Sequence, residues 1–83
     1  MAEFDLECVI GSETLKMDAS DSAPLSVLIE KVLKRTGNTA RPGSDWTVRY
    51  GMTTLSHSQS LKAQHVPDGA TLVFTLGPAE SGA

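Results

Sequence analysis

The last third of the chain constrains the fold more than any other stretch. It contains an alternating segment at residues 46–50, a Pro-Asp-Gly turn at residues 67–69, and a second alternating segment in which Leu72, Phe74 and Leu76 share one face. Alternation of apolar and polar residues is typical of strands that bury one face. This stretch therefore predicts two strands, the second of which leads directly into the C-terminal residues.

The N-terminal part of the chain predicts a β-hairpin. Apolar residues occupy alternate positions in two runs, and a turn at residues 11–13 separates the runs. The alternate positions are Phe4, Leu6, Cys8 and Ile10 in the first run and Leu15, Met17 and Ala19 in the second. Because the single cysteine is in phase with the apolar residues, we expect Cys8 to be buried in the core rather than to act as a catalytic thiol.

A helix is predicted after the hairpin. Its apolar stripe consists of residues at helical spacing, namely Leu25, Leu28, Ile29 and Val32. Pro24 suits the first helical turn, and Asp21 or Ser22 is the expected N-cap. Gly37 followed by Asn38 is expected to end the helix. Leu33 lies off the stripe and is expected to cover a sheet edge.

The remaining segments complete the order ββαβββ. A loop at residues 38–45 precedes the strand at residues 46–50, Leu55 anchors a short fourth strand, and residues 61–66 predict one turn of helix. A single helix must then pack across one sheet. The predicted fold class is α+β, with a mixed sheet of four to five strands packed on one helix.

Length and charge exclude several classes of protein. The 83 residues predict one domain, and the net charge of −3, without a basic run longer than Lys34-Arg35, argues against a nucleic-acid partner. No apolar run approaches a membrane span, one cysteine permits no intrachain disulfide, and the N-terminus has no secretory signal pattern. We therefore expect a cytoplasmic monomer without a membrane or nucleic-acid partner.

The residue types that carry catalysis do not form a recognisable set. His57 lies in a serine-rich loop and His65 in a short turn, and neither has another metal ligand at a suitable spacing. Trp46 and Tyr50 share a strand face with Val48, which favours a place in the core over a stacking platform. We expect no enzymatic activity, no cofactor and no metal site.

The order of elements resembles the β-grasp fold of ubiquitin-like proteins. The resemblance covers residues 4–76 and includes the hairpin, the helix and a series of anchors at Gly51, Leu55, Leu61, Val66 and Leu72. It implies a ubiquitin-like domain at residues 1–76 and a flexible C-terminal tail at residues 77–83. In ubiquitin-like modifiers, the carboxylate of a terminal glycine is joined to target proteins, and precursors are first trimmed after that glycine.

The resemblance also implies a site and a set of partners. It assigns conjugation to Gly82, with cleavage between Gly82 and Ala83, and a partner-binding surface to Arg49 and Val73. The implied partners are an activating enzyme, a conjugating enzyme, a metallopeptidase and target proteins. Ser81-Gly82 stands where ubiquitin has Gly-Gly. This divergence implies dedicated enzymes, as for bacterial ubiquitin-like modifiers that are encoded beside their own enzymes.

Three other interpretations of the chain remain open. The chain could be a β-grasp adaptor that is not conjugated and binds a partner through the outer sheet face. It could be a sulfur carrier, which uses the same carboxylate but ends in Gly-Gly. Residues 77–83 contain no apolar side chain larger than alanine or proline, so they could also be only a frayed terminus. Gly82 favours the modifier, whereas the missing Gly-Gly pair favours the adaptor.

Overall fold

The predicted strands form one mixed sheet in the computed structural model, which describes residues 3–77. The strands are β1 (Glu3–Ile10), β2 (Glu13–Ser20), β3 (Trp46–Tyr50), β4 (Thr53–Thr54) and β5 (Thr71–Leu76). The helix α1 (Leu25–Thr36) and a short 3₁₀ helix (Gly43–Asp45) lie between β2 and β3. The predicted order ββαβββ and the α+β class are confirmed.

Strand β5 lies in the middle of the sheet, whose spatial order is β2-β1-β5-β3-β4. It pairs with β1 in parallel and with β3 antiparallel, whereas β1–β2 and β3–β4 are antiparallel pairs. The parallel register places Cys8 opposite Leu72. Since parallel strands cannot be joined by a tight turn, the chain must cross the sheet between β1 and β5, and α1 lies within that connection.

The core lies between α1 and the inner face of the sheet. The helix buries Leu25, Leu28, Ile29, Val32 and Leu33, and the strands bury Leu6, Cys8, Ile10, Met17, Ala19, Trp46, Val48, Leu72 and Phe74. The predicted apolar stripe is confirmed, as is the strand face shared by Trp46, Val48 and the partly buried Tyr50. Leu33 is also buried in this core, and its expected contact with a sheet edge stays a prediction.

The N-terminus of α1 differs from the prediction. Pro24 is the N-cap, in an extended conformation, in place of the predicted Asp21 or Ser22, and this N-cap makes no side-chain capping hydrogen bond. Backbone carbonyls of the loop after β4 accept hydrogen bonds from the first helical N–H groups and so replace a side-chain cap. These bonds run from the Leu25 N–H to the Gln59 carbonyl (2.9 Å) and from the Ser26 N–H to the His57 carbonyl (3.0 Å).

The C-terminus of α1 follows the prediction. Gly37 adopts the left-handed conformation at φ 74°, which glycine reaches at little steric cost. The N–H of Asn38 donates to the Leu33 carbonyl at 2.8 Å. This geometry satisfies a carbonyl of the last helical turn and redirects the chain towards β3.

The loop after the helix contains an element that the sequence does not predict, the 3₁₀ helix Gly43–Asp45. Residues 61–66 form the predicted single helical turn, in which the Gln64 N–H donates to the Ser60 carbonyl at 3.3 Å. The turn ends with His65 in the left-handed region at φ 61° and with the Val66 N–H donating to the Leu61 carbonyl at 3.0 Å. Leu61 and Val66 are the buried anchors of this segment.

The predicted fourth strand is shorter than expected and ends before its anchor. Strand β4 contains two residues, and Leu55 follows it directly. The N–H of Leu55 donates to the Val48 carbonyl at 2.9 Å, and its side chain is buried. Leu55 therefore secures the hairpin from outside the strand.

Lys31 covers the exposed edge of β2. Asp5 bonds to Asp68 and Gly69 on the β5 side of β1, so the pair Asp5–Asp18 is not a hydrogen-bonded pair and the Asp18 carbonyl points away from the sheet. The Lys31 ammonium donates to that carbonyl at 2.7 Å. A lysine at this position opposes the addition of another strand to the edge.

Replacement of Leu28 by alanine should lower the free energy of unfolding by about 2–5 kcal/mol, because a buried leucine leaves a cavity when it is truncated. Leu28 is 2% exposed, whereas its neighbour Val27 is 48% exposed and provides a matched control on the same helix. Val27→Ala should change the free energy by less than about 0.5 kcal/mol. Urea unfolding followed by circular dichroism measures both values. Equal effects of the two substitutions would contradict the placement of α1.

Candidate functional site

The predicted conjugation residue Gly82 and the predicted cleavage between Gly82 and Ala83 lie outside the described residues. The structure does describe the end of β5, from which the chain continues to that position. We call residues 78–83 the C-terminal segment. The candidate site therefore comprises the end of β5, its immediate contacts and the adjacent outer face of the sheet.

Two hydrogen bonds hold the residue that follows β5. The N–H of Gly77 donates to the Asp45 carbonyl at 2.7 Å. The Thr47 hydroxyl donates to the Gly77 carbonyl at 2.6 Å. We call these three residues the exit site. Gly77, the first residue of the predicted tail, is therefore held against the segment that leads into β3.

The structure brings the two predicted surface residues together. Arg49 on β3 is directly opposite Val73 on β5, and Val73 is also opposite Val9 on β1. All three belong to the outer face, because their strand neighbours are buried on the inner face. Arg49 is exposed and Val73 is 39% exposed, so this Val–Arg row (Val9, Val73 and Arg49) is accessible. Its role in partner binding stays a prediction.

The part of the outer face that is formed by β1 and β2 is acidic, whereas the Val–Arg row carries one positive charge. Four carboxylates follow β1 and β2 at alternate positions, namely Glu3, Asp5, Glu7 and Asp18. Lys16 is opposite Glu7, and the Thr71 hydroxyl donates to the Glu7 carboxylate at 3.1 Å. A protein that docks on the whole face would therefore meet an acidic half and a half with an apolar centre and one arginine.

Cys8 is buried and has none of the features of a reactive thiol. Its side chain is 0% exposed in the core. Burial, and secondly the charge of Glu7, raise the pKa of the Cys8 thiol to about 11. At neutral pH the thiol is therefore protonated, and the thiolate that would act as a nucleophile is scarce. The structure confirms the predicted core position.

The predicted absence of catalytic and metal chemistry stays a prediction. Within residues 3–77, no three histidine, cysteine, aspartate or glutamate side chains converge in an arrangement that could hold a metal ion. Over the same residues, no helix combines the length and the hydropathy that a membrane span requires. His57 is half-buried and His65 exposed.

The central β5, the single helix and the five-stranded mixed sheet define a ubiquitin-like β-grasp domain. The ubiquitin of Caldiarchaeum subterraneum has a TM-score of 0.77 at 17% identity, over 95% of this chain and 99% of that chain. A ubiquitin-like domain of an Arabidopsis thaliana protein has a TM-score of 0.76 at 12% identity, over 95% of this chain and 82% of that chain. A designed protein based on ubiquitin has a TM-score of 0.78 at 21% identity, over 98% of this chain and 96% of that chain.

The chain belongs to the family described as Protein of Unknown function (DUF2604), which matches residues 2–82. No curated protein sequence matches the chain. Because the similar solved structures share so few identical residues with it, they establish its fold and leave its activity to other evidence.

Sequence reasoning missed the residues that hold Gly77. Alternation assigns Thr47 to the polar face of its strand and gives no partner for its hydroxyl. Asp45 falls in a segment predicted only as a loop. The missing information was the register between β3 and β5, since hydrophobic periodicity identifies strands but does not align them. A threonine on the strand beside the last one, together with a glycine after that strand, is the only signal that the sequence contains.

Cys8 should react slowly with a thiol reagent at neutral pH, because the thiol is both buried and protonated. The raised pKa favours the thiol form in the folded state. The protonated Cys8 thiol therefore contributes fully to the stability of the folded state below the ordinary pKa of 9.0, and this contribution is lost as the pH rises towards about 11. Labelling kinetics with and without denaturant measure the protection. Equally fast labelling of native and unfolded protein would contradict the burial of Cys8.

Proposed function

We propose that this chain is the precursor of a ubiquitin-like protein modifier. A peptidase removes Ala83, and partner enzymes join the newly exposed carboxylate of Gly82 to target proteins. The domain itself performs no chemistry and is the part that the partner enzymes recognise. The proposed pathway is of the bacterial type, in the cytoplasm, with an activating enzyme, a conjugating enzyme and a metallopeptidase as partners.

The observation that carries the proposal is the position of β5. This strand is paired on both sides, so the domain holds it firmly up to Gly77, and the chain then continues into six residues with small or polar side chains. A glycine within such a segment fits narrow enzyme channels because it has no Cβ and adopts many backbone conformations. The archaeal ubiquitin provides an example of this fold in a protein that is named as a ubiquitin.

The chemistry needs little from the protein apart from a free carboxylate. An activating enzyme would use ATP to convert the Gly82 carboxylate into an acyl adenylate with release of pyrophosphate, and a cysteine thiolate of that enzyme would displace AMP to form a thioester. An amine of the target then displaces the thiol and forms an isopeptide bond. The lysines of this chain that could accept a second copy are Lys16, Lys31, Lys34 and Lys62. Lys31 already binds the edge of β2.

A second candidate function is a β-grasp adaptor that is not conjugated. The apolar side chain at the centre of β5 favours it, since Val73 lies on the outer face and is 39% exposed. Arg49 lies beside Val73 and adds a charge that could select a partner. The Arabidopsis structure shows this fold as a domain of a larger protein. In this case Gly82 has no covalent role.

Gly82→Ala should abolish trimming and conjugation while the domain remains folded, because a Cβ at this position would collide with an enzyme channel built for glycine. Ser81→Ala is the matched control and should be processed normally. A chain that ends at Gly82 should be conjugated without the peptidase. Intact-mass and peptide mass spectrometry of the protein from source cells with their native enzymes measure all three outcomes.

The same experiment distinguishes the two candidate functions. A wild-type protein found only in the form that ends at Ala83, without any adduct through Gly82, would contradict the modifier. If Gly82→Ala were processed as efficiently as wild type, Gly82 would not be the conjugation residue. Substitution of Val73 by aspartate should weaken partner binding in either case, so it does not replace the mass measurement.

A further inference from the structure

The pairing of β3 with β5 ends at an irregular step. The register that places Trp46 opposite Leu76 would next place Asp45 opposite Gly77. One bond of that step is present, from the Gly77 N–H to the Asp45 carbonyl at 2.7 Å. The reciprocal bond is missing, because the Asp45 N–H donates at 3.0 Å to the Pro42 carbonyl within the 3₁₀ helix.

The Thr47 side chain supplies the missing donor. Its hydroxyl donates to the Gly77 carbonyl at 2.6 Å, which is within the usual range for a hydroxyl donor. Thr47 belongs to the outer face, because its neighbours Trp46 and Val48 point into the core, yet it is only 5% exposed. A buried hydroxyl usually has a hydrogen-bond partner, and here that partner is the carbonyl at which the C-terminal segment begins.

Gly77 makes this contact in a conformation that other residues rarely adopt. Its φ is +118°, and a Cβ built at this position would meet no atom within 4 Å. Glycine is therefore favoured by backbone conformation and not by lack of space. The positive φ turns the Gly77 carbonyl out of the ladder and towards the outer face, where the Thr47 hydroxyl holds it.

We infer that Thr47 is a positioning residue that fixes the point and the direction at which the C-terminal segment leaves the sheet. The inference rests on the proposed modifier function. Four residues lie between Gly77 and Gly82, and the five residue steps place Gly82 at most about 18 Å from the exit site. Because Gly77 is held, the C-terminal segment starts from the same position on the sheet in every molecule. An enzyme that binds the outer face, including the Val–Arg row, therefore finds the start of the segment at a fixed distance.

The test compares Thr47→Val with Thr47→Ser. Valine has nearly the same shape and suits a strand but cannot donate, whereas serine keeps the hydroxyl. Thr47→Val should speed hydrogen exchange at the Gly77 amide about fivefold, the factor expected for one net hydrogen bond, while Thr47→Ser stays near wild type. Both variants should unfold at nearly the same urea concentration as wild type.

The functional readout is the release of Ala83 in an extract of source cells, followed by intact mass. Thr47→Val should raise the KM about three- to tenfold and leave kcat unchanged, because a smaller fraction of the protein presents the segment correctly. Thr47→Ser should restore the wild-type KM. Gly77→Ala should resemble Thr47→Val, since an L-residue strains the same conformation.

Two results would overturn the inference, and they differ from the failure of the proposed function. Unchanged exchange at Gly77 in Thr47→Val would show that the hydroxyl does not hold the exit site. Faster exchange combined with an unchanged KM would show that it holds the exit site without positioning the segment. If wild type releases no Ala83, the modifier proposal fails and positioning for that reaction falls with it, while the exchange data still decide whether Thr47 holds Gly77.

Discussion

Strand β5 pairs with β1 in parallel and with β3 antiparallel, and the rest of the molecule depends on this double pairing. The N-terminal hairpin and the β3–β4 hairpin share no pairing of their own, so β5 is what joins them into one sheet. The joined sheet provides the surface on which α1 buries its apolar stripe. Because β1 and β5 are far apart in the sequence, their pairing must overcome a large loop-closure entropy, and the apolar contacts of Leu72 and Phe74 with the core provide the compensating free energy.

The same pairing links the two surfaces to which functions are assigned, the C-terminal end of β5 and the outer face around Val73. A central strand has both edges satisfied, so β5 stays paired up to its last residue, and Gly77 is held at a defined place on the sheet. There the Thr47 side chain completes the hydrogen bonding between β3 and β5. It does so because the Asp45 N–H donates to the Pro42 carbonyl within the 3₁₀ helix and not to Gly77. The outer face of β5 carries Val73 beside Arg49, so a partner bound there would lie on the strand that delivers the C-terminal segment.

Much of the fold follows from the sequence, because its elements repeat with clear periods. The alternation of the first hairpin, the stripe Leu25–Leu28–Ile29–Val32 and the strand at residues 71–76 each specify a buried face, and the structure agrees except at Leu76, which is 51% exposed. The N-cap of α1 could not be predicted, since carbonyls of a distant loop replace the expected side chain of Asp21 or Ser22. The resemblance assigns Arg49 and Val73 to one surface, but their direct pairing and the bond of Thr47 to Gly77 both depend on a β3–β5 register that no local pattern encodes. Gly82 rests on the resemblance to ubiquitin-like proteins alone.

Native-state hydrogen exchange tests the central role of β5 most directly. If β5 joins the two hairpins, its amides can exchange only when the whole domain unfolds. The free energy of exchange at Leu72 and Phe74 should then equal the free energy of unfolding measured with denaturant, and the amides of β4 should exchange at lower free energies. Exchange of the β5 amides through a local opening, at a free energy well below that of global unfolding and below that of β2, would contradict this account.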